Sequence, residues 1–198
     1  MDEYYSTLVH FEEAKSREGL FMSASAAQAV IDQCNAFIRE PSKNFLITVF
    51  AEKIENMIVA SADLSNSDKT DGFLKKTKAF TKGDFSGKFF QAGVSELTMA
   101  CVANGMALHG GVIPACGTFF VFSDYMKPAV RLSALMRLHV IYVWTHDSFR
   151  VGEDGPTHQP VEHEAQIRLM EHLKNHHDER SMLVLRPADG DETVMAWK

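Results

Sequence analysis

Cysteine is scarce: Cys34, Cys101 and Cys116 are the only three in 198 residues, and no pair has CxxC spacing. That excludes a disulfide scaffold and a thiolate zinc knuckle. Long apolar runs are also missing. The longest, such as FLITVF at 45–50, fall far short of the ~18 residues a bilayer span needs, so no membrane partner is expected. An excess of positive charge is absent too. Twenty Lys and Arg against 26 Asp and Glu leave a net charge of −6, which disfavours a general nucleic-acid binder. No repeat or low-complexity tract occurs, and the first residues lack the charged, apolar and small-residue regions of a signal peptide. With the unpaired cysteines, this points to the cytoplasm. What is present is ordinary for a globular domain: 45% apolar residues and enough length to bury ~70% of the unfolded surface without staples.

Along the chain, residues 1–20 are polar with scattered apolar positions, which predicts an arm or a short helix. Residues 23–38 place Ala26, Ala27, Val30, Ile31, Cys34 and Phe37 at helical spacing. We divide the chain into an N-terminal arm and linker helix, 1–35, and one domain, 36–198. Pro41 and Ser42 open a second helix, with a strand competing for the β-branched FLITVF. MIVASADL reads as a buried strand. A stretch with Lys75, Lys76, Lys78, Lys82 and Lys88 among five phenylalanines reads as a solvated connection, because Gly72, Gly83 and Gly87 punctuate it. A helix over 93–105, a buried strand within 110–122, a helix over 128–136 and the strand HVIYVWT (139–145) follow. The order ends with an amphipathic helix at 161–175, a strand at 182–185 and a helix from 191. Such alternation predicts an α/β domain with a parallel sheet covered by helices on both faces.

The segment THDSFRVGEDGPTHQP (145–160) gathers His146, Asp147, Glu153, Asp154 and His158 in a Gly- and Pro-shaped loop directly after the best strand. Loops at strand C-termini collect ligand-binding groups in such sheets, and imidazole is suited to proton transfer near neutral pH. No HExxH or His-x-His spacing supports a metal here. His172 and His176, at i and i+4 with acids nearby, read as a solvated helix end, since Lys174, Asn175 and Arg180 share the stretch. Glu96 lies between apolar and small residues. It is either an exposed helix position or a buried carboxyl poised for proton exchange, and periodicity leaves both open. Phe119, Phe122 and Tyr125, spaced i, i+3, i+6, suit a core but leave one face for stacking a flat ring.

Taken together, SADLSNS (61–67), GVSE (93–96), NGMALHGG (104–111), GTFFVFSDYMKPAVRLSALM (117–136), THDSFRVGEDGPTHQPVEHE (145–164) and LRPADGDE (185–192) closely resemble the pyrimidine-binding domain of transketolase. The order and spacing are similar from about residue 39 onward. GEDGPTHQP sets transketolase apart from deoxyxylulose-phosphate synthases and pyruvate dehydrogenase subunits, which share the fold and the cofactor thiamine diphosphate. The resemblance implies that Glu96 hydrogen-bonds the aminopyrimidine ring and drives its tautomerisation. It implies an aliphatic contact at Val94, an aromatic pocket from Phe119, Phe122 and Tyr125, and an acid beside the cofactor at Asp63. For the sugar phosphate it implies contacts from Ser67 and His146, a reader of hydroxyl configuration in Asp154, and a contact or proton-transfer group near the donor carbonyl in His158. Arg39 matches a phosphate-binding arginine only with one residue of slippage.

Departures accompany these matches. Ser95 stands where the family commonly has Arg, Phe149-Arg150 where it has Ile-Gly, and 172–180 includes a small insertion. The family's Mg²⁺ and diphosphate sit on a further domain with a GDG motif. We therefore expect a fragment that is inactive alone, ligates no metal itself, and shares thiamine diphosphate with the diphosphate-binding domain of a partner subunit in a homodimer. The whole enzyme moves a two-carbon ketol unit between sugar phosphates. The alternatives are a related thiamine-diphosphate enzyme subunit, or a non-catalytic interaction module that retains the fold.

Overall fold

The computed structural model describes residues 6–10, 45–147 and 154–197. Within them six strands form one sheet: β1 (Ser6–His10), β2 (Met57–Ser61), β3 (Phe89–Gln91), β4 (Ile113–Phe119), β5 (Ile141–Thr145) and β6 (Leu183–Leu185). Their order is β3-β2-β4-β5-β1-β6. Strands β2 to β5 are mutually parallel, as expected, with Ser61 opposite Gly117 and Phe119 opposite Thr145. The departure is β1, which runs antiparallel between β5 and β6. Ser6–His10 is thus a strand and not the arm or short helix predicted for residues 1–20; with only Leu8 and Val9 apolar, STLVH carries no period to mark it. The helix expected over 23–38, the Pro41–Ser42 helix start and the 35/36 division lie outside the described residues.

Among the described residues six helices cover the sheet: α1 (Phe45–Lys53), α2 (Asp71–Lys76), α3 (Glu96–His109), α4 (Ser123–Met136), α5 (His163–Glu171) and α6 (Gly190–Trp197). Period-2 alternation in the strands feeds two separate cores. Ala60, Cys116, Tyr142 and Trp144 point to one face and pack with Met99, Ala103, Val130 and Ile167 of α3, α4 and α5. Val59, Ala115, Ile141 and Val143 point to the other, against Phe50, Phe73 and Val194 of α1, α2 and α6. Both faces are covered, as the apolar strand runs predict. Between α3 and α4, Asn104 Nδ2 donates to Ala129 O at 2.9 Å, while its Oδ1 accepts the Tyr142 hydroxyl at 3.1 Å. Each group in that junction is buried and bonded, which fixes the register of the two helices.

The lysine-rich stretch corrects another expectation. It holds α2 and the edge strand β3, with Phe73 and Phe89 fully buried. Lys76 and Lys78 pair with Glu52 and Asp84, each at 2.8 Å, so the basic side chains form a solvated rim over a packed segment. At the opposite edge, Arg168 donates to Val184 O at 2.6 Å and Glu171 accepts from Val184 N at 2.8 Å. Two side chains of α5 thereby satisfy the outer backbone groups of β6, closing an edge that could otherwise pair with another strand.

Candidate functional site

The site gathers at the C-terminal ends of β2, β4 and β5, where parallel sheets place their functional loops. Phe119 ends β4, a 3₁₀ turn spans Phe120–Phe122, and α4 begins at once. This tight run turns the i, i+3, i+6 spacing into a ladder. Phe119 and Phe122 stack with centroids 5.7 Å apart and planes 4° from parallel, and Tyr125 lies 6.0 Å beyond Phe122. Burial falls outward along it, from buried Phe119 to Tyr125 at 62% exposed. An open aromatic face of this kind suits a flat ring.

Two histidines from the predicted loop join the ladder. His146, directly after β5, stacks on Phe119 at 3.7 Å with planes 21° apart. Its backbone is left-handed (φ 55°), which turns the ring back over the strand ends. His158, at the end of the Pro156–His158 turn, sets its ring edgewise to Phe122 at 5.3 Å and to Phe119 at 6.0 Å. Each imidazole Nδ1 has a hydroxyl partner in the preceding residue, Thr145 Oγ1 at 2.9 Å and Thr157 Oγ1 at 2.8 Å. Burial holds His146 below the usual imidazole range; the Asp154 charge opposes this, while Lys69 and His158 add to it. His146 is therefore neutral at pH 7 and can accept a hydrogen bond or a proton.

Glu96 is the first residue of α3 and only 6% exposed, which settles its position as buried. Gly93 takes φ 68°, and Ser95 N donates to Gly93 O at 2.8 Å, so a tight turn delivers the carboxyl to the helix start. Unpaired amides there favour a negative group. Val94, two residues earlier, projects into solvent at 82% exposed. Asp63 is exposed with φ 65°, and Ser67 is half-buried in the same turn. Arg39 and Phe149-Arg150 lie outside the described residues.

Two residues of the site region, Asp68 and Arg186, escaped the sequence reading, as did the pairing of Asp147. Asp68, 1% exposed, accepts from Ser61 Oγ at 2.6 Å, Thr70 Oγ1 at 2.7 Å and Thr70 N at 3.0 Å; burial raises its carboxyl and these bonds oppose the rise. The motif SADLSNS ends one residue short of it. Asp147 is buried and paired with Arg186, 39 residues away, through Nε to Oδ2 at 2.9 Å and Nη2 to the backbone O at 3.0 Å. The expected helix over 161–175 stops at Glu171, so His172 and His176 share no helix face. Among the described residues the one His–carboxylate group close enough to hold a metal is Asp124, Glu162 and His163. Its Asp124 already accepts from His163 Nε2 at 3.0 Å and from Lys127, so it serves as an ion-pair junction between α4 and α5.

Comparison with known proteins accords with this arrangement. Residues 41–198 match the family described as "Transketolase, pyrimidine binding domain". The transketolase of Bacillus subtilis is 48% identical over 169 residues, covering 85% of this chain and 24% of that protein. That of Halalkalibacterium halodurans is 50% identical over 152 residues, covering 77% of this chain and 21% of that protein. Among solved structures, transketolase from Leishmania mexicana superposes with a TM-score of 0.68 at 33% identity, covering 87% of this chain and 26% of that one. A Pichia stipitis transketolase in complex with sedoheptulose 7-phosphate gives a TM-score of 0.70 at 31% identity, covering 87% and 27%. This chain thus spans about a quarter of the length of these relatives. With its parallel β2–β5 sheet and a match running from residue 41 to the last, the chain belongs to the transketolase family and corresponds to its pyrimidine-binding domain.

Proposed function

We propose that this chain supplies the pyrimidine-binding half of a transketolase active site, in an enzyme that transfers a two-carbon ketol unit from a ketose phosphate to an aldose phosphate. The domain is residues 36–198, with the Ser6–His10 strand added to its sheet. The observation that carries this reading is the convergence of Phe119, Phe122, Tyr125, His146 and His158 at one sheet end. The residues fit thiamine diphosphate: the ladder offers a ring-sized aromatic face, and the buried Glu96 carboxyl offers an acceptor for a ring N–H. When bound, the thiazolium supplies an electron sink for the ketol carbon.

The chain's own residues do the rest. Phe119, Phe122, Tyr125 and Val94 would hold and shield the pyrimidine, with Asp63 as the acid beside it. Glu96 exchanges a proton with a ring nitrogen. His158 moves a proton near the donor carbonyl, Asp154 reads the donor hydroxyls, and Ser67, His146 and Arg39 hold the phosphate. Mg²⁺ and the diphosphate belong to a second domain from a partner subunit of a homodimer. Cys101 and Cys116 are free thiols, which suits the reducing cytoplasm, and burial pushes the Cys116 thiol up to about 12.

The test is a graft. Residues 41–198 replace their counterpart in the Bacillus subtilis transketolase, and ketol transfer is assayed with thiamine diphosphate and Mg²⁺. The graft is expected to turn over at an ordinary ~1–1000 s⁻¹, and the chain alone to be silent. A folded but inactive graft would favour a non-catalytic module, and turnover by the chain alone would end the half-site reading.

The isolated chain is also expected to self-associate. Besides Val94 and Tyr125, Leu97 and Leu108 of α3 and Leu132 and Leu135 of α4 are exposed. Exposed large apolar side chains on two helices favour association, and identical copies usually pair about a two-fold axis. Gly105 faces open space and can admit a close contact, whereas Ala129 is buried in the core and cannot. Sedimentation equilibrium over a hundredfold concentration range checks this. A single 22.2 kDa species throughout would refute it.

A further inference from the structure

One buried imidazole has no place in the chemistry proposed above. His163 is the first residue of α5, 3% exposed and five residues after His158. Its Nε2 lies 3.0 Å from Asp124 Oδ2, and its ring stands edgewise to Phe120 with centroids 5.8 Å apart. Asp124 is the second residue of α4, next to Tyr125, and Phe120 opens the turn that carries Phe122. His163 therefore fastens the start of α5 to the turn that builds the aromatic ladder. One helical turn farther along, Lys127 bonds both Asp124 Oδ1 and Gln166 Oε1, a second tie between the same two helices.

Burial pushes the Asp124 carboxyl up, but the bonds from Lys127 and His163 outweigh it and hold the group below the usual carboxylate range. A carboxylate can only accept, so His163 Nε2 carries the hydrogen. The other ring nitrogen gains nothing from the fold. Nδ1 is buried with no hydrogen-bond partner among the described residues, and Glu162 Oε2, at 3.8 Å, is too far to bond it. For packing alone such a ring is a poor choice, since an apolar side chain would leave no buried polar atom unsatisfied. What the imidazole does supply is the aim of Nε2, and that closes a short cycle. From Phe122 the chain runs two residues to Asp124, crosses the hydrogen bond to His163, returns five residues to His158, and ends where the His158 ring meets Phe122 at 5.3 Å. Short links leave His158 little freedom while the bond stands, and cutting it replaces the cycle by a longer, looser segment.

We propose that His163 is a positioning residue of this site: by donating Nε2–H to Asp124 it holds the His158 turn in place against the aromatic ladder. The proposal rests on the transketolase reading for what His158 does, and on the fold for where His158 stands.

Substitutions at this position separate aim from packing. Glutamine sets its amide nitrogen where Nε2 stands, asparagine where Nδ1 stands, and methionine fills the space with no donor. In the whole chain, followed by NMR, the His158 ring protons carry a ring-current shift from Phe122 and Phe119. That shift is expected to persist in His163→Gln and to collapse in His163→Asn and His163→Met. His163→Met should keep the melting temperature, because Asp124 is 46% exposed and retains Lys127, so no buried charge is stranded. In the graft, His163→Met and His163→Asn should lower kcat about 10–100-fold, the scale of a misplaced catalytic group, with thiamine diphosphate affinity unchanged, and His163→Gln should restore it. A His158 shift unmoved in folded His163→Met, or equal shifts in His163→Gln and His163→Asn, would overturn the positioning role and leave the transketolase reading standing. A shift that collapses while the graft keeps its full rate would show that the place of His158 does not matter to the reaction, and would overturn the proposal from the other side. An inactive unsubstituted graft would end the transketolase reading and this role with it.

Discussion

Replacing Glu96 by alanine in the grafted enzyme is expected to slow exchange of the thiamine C2 proton by about 10²–10⁴-fold, the range a positioned acid–base group contributes. The fold should hardly notice. Glu96 is 6% exposed at the first position of α3, and among the described residues no cation pairs with it. Its only local support is the amide end of the helix, a stabilisation of about 0.3–1 kcal/mol, while alanine is the better helix former. The loss of Glu96 leaves no charged partner behind among the described residues, so stability should stay nearly level. A large kinetic loss without a stability loss separates a residue that exchanges protons from one that packs. Glu96→Gln sharpens the point, for it keeps the shape and hydrogen-bonding reach but cannot move a proton, and it should be nearly as slow. Unchanged exchange in both variants would remove Glu96 from the chemistry.

How much of this was legible in the sequence depends on the range of the interaction that determines it. The strand IYVWT is buried on both faces and reads as an unbroken apolar, β-branched and aromatic run, so β5 was evident. The Phe119–Phe122–Tyr125 ladder follows from local spacing once the tight turn into α4 is granted. Boundaries were less faithful where one residue type was taken as punctuation. Pro128 marks no helix start, since α4 begins at Ser123 and carries the proline inside it. Gly105 marks no helix end, since α3 continues to His109, with the glycine on its open face. β3 has only three residues and β1 only two apolar ones, Leu8 and Val9, so neither shows a pattern, and both depend on partners distant in sequence. The same holds for Asp68 and Asp147. Asp68 is one more carboxylate in an acidic chain and Asp147 one of several titratable groups in its loop; only the fold brings Gly117 beneath the first and Arg186 against the second.

The Asp147–Arg186 pair is where that distant contact matters most for stability. Asp147 follows His146 directly, and its side chain is wholly buried, whereas the Arg186 side chain, at 39% exposed, closes the pair from the β6 side. Nε bonds the carboxylate and Nη2 bonds the backbone carbonyl of the same residue, so one arginine grips both the side chain and the main chain of the loop. Arg186→Met keeps the apolar stem and removes that grip. A buried carboxylate that loses its cation costs about 3–5 kcal/mol. We expect about 3 kcal/mol in urea denaturation of the chain, at the lower end because water reaches the outer face of the pair. Asp147→Asn should be costly by itself, but combined with Arg186→Met it should cost clearly less than the two losses added, since once one partner is neutral the other has less to lose. The loop should loosen in step: the His146 ring, held 3.7 Å over Phe119 by the residue next to it, should lose its ring-current shift in Arg186→Met and keep it in Arg186→Lys. Strict additivity of the two losses, or a His146 signal unmoved in Arg186→Met, would show that the pair is incidental and that the β5 strand alone holds the histidine in place.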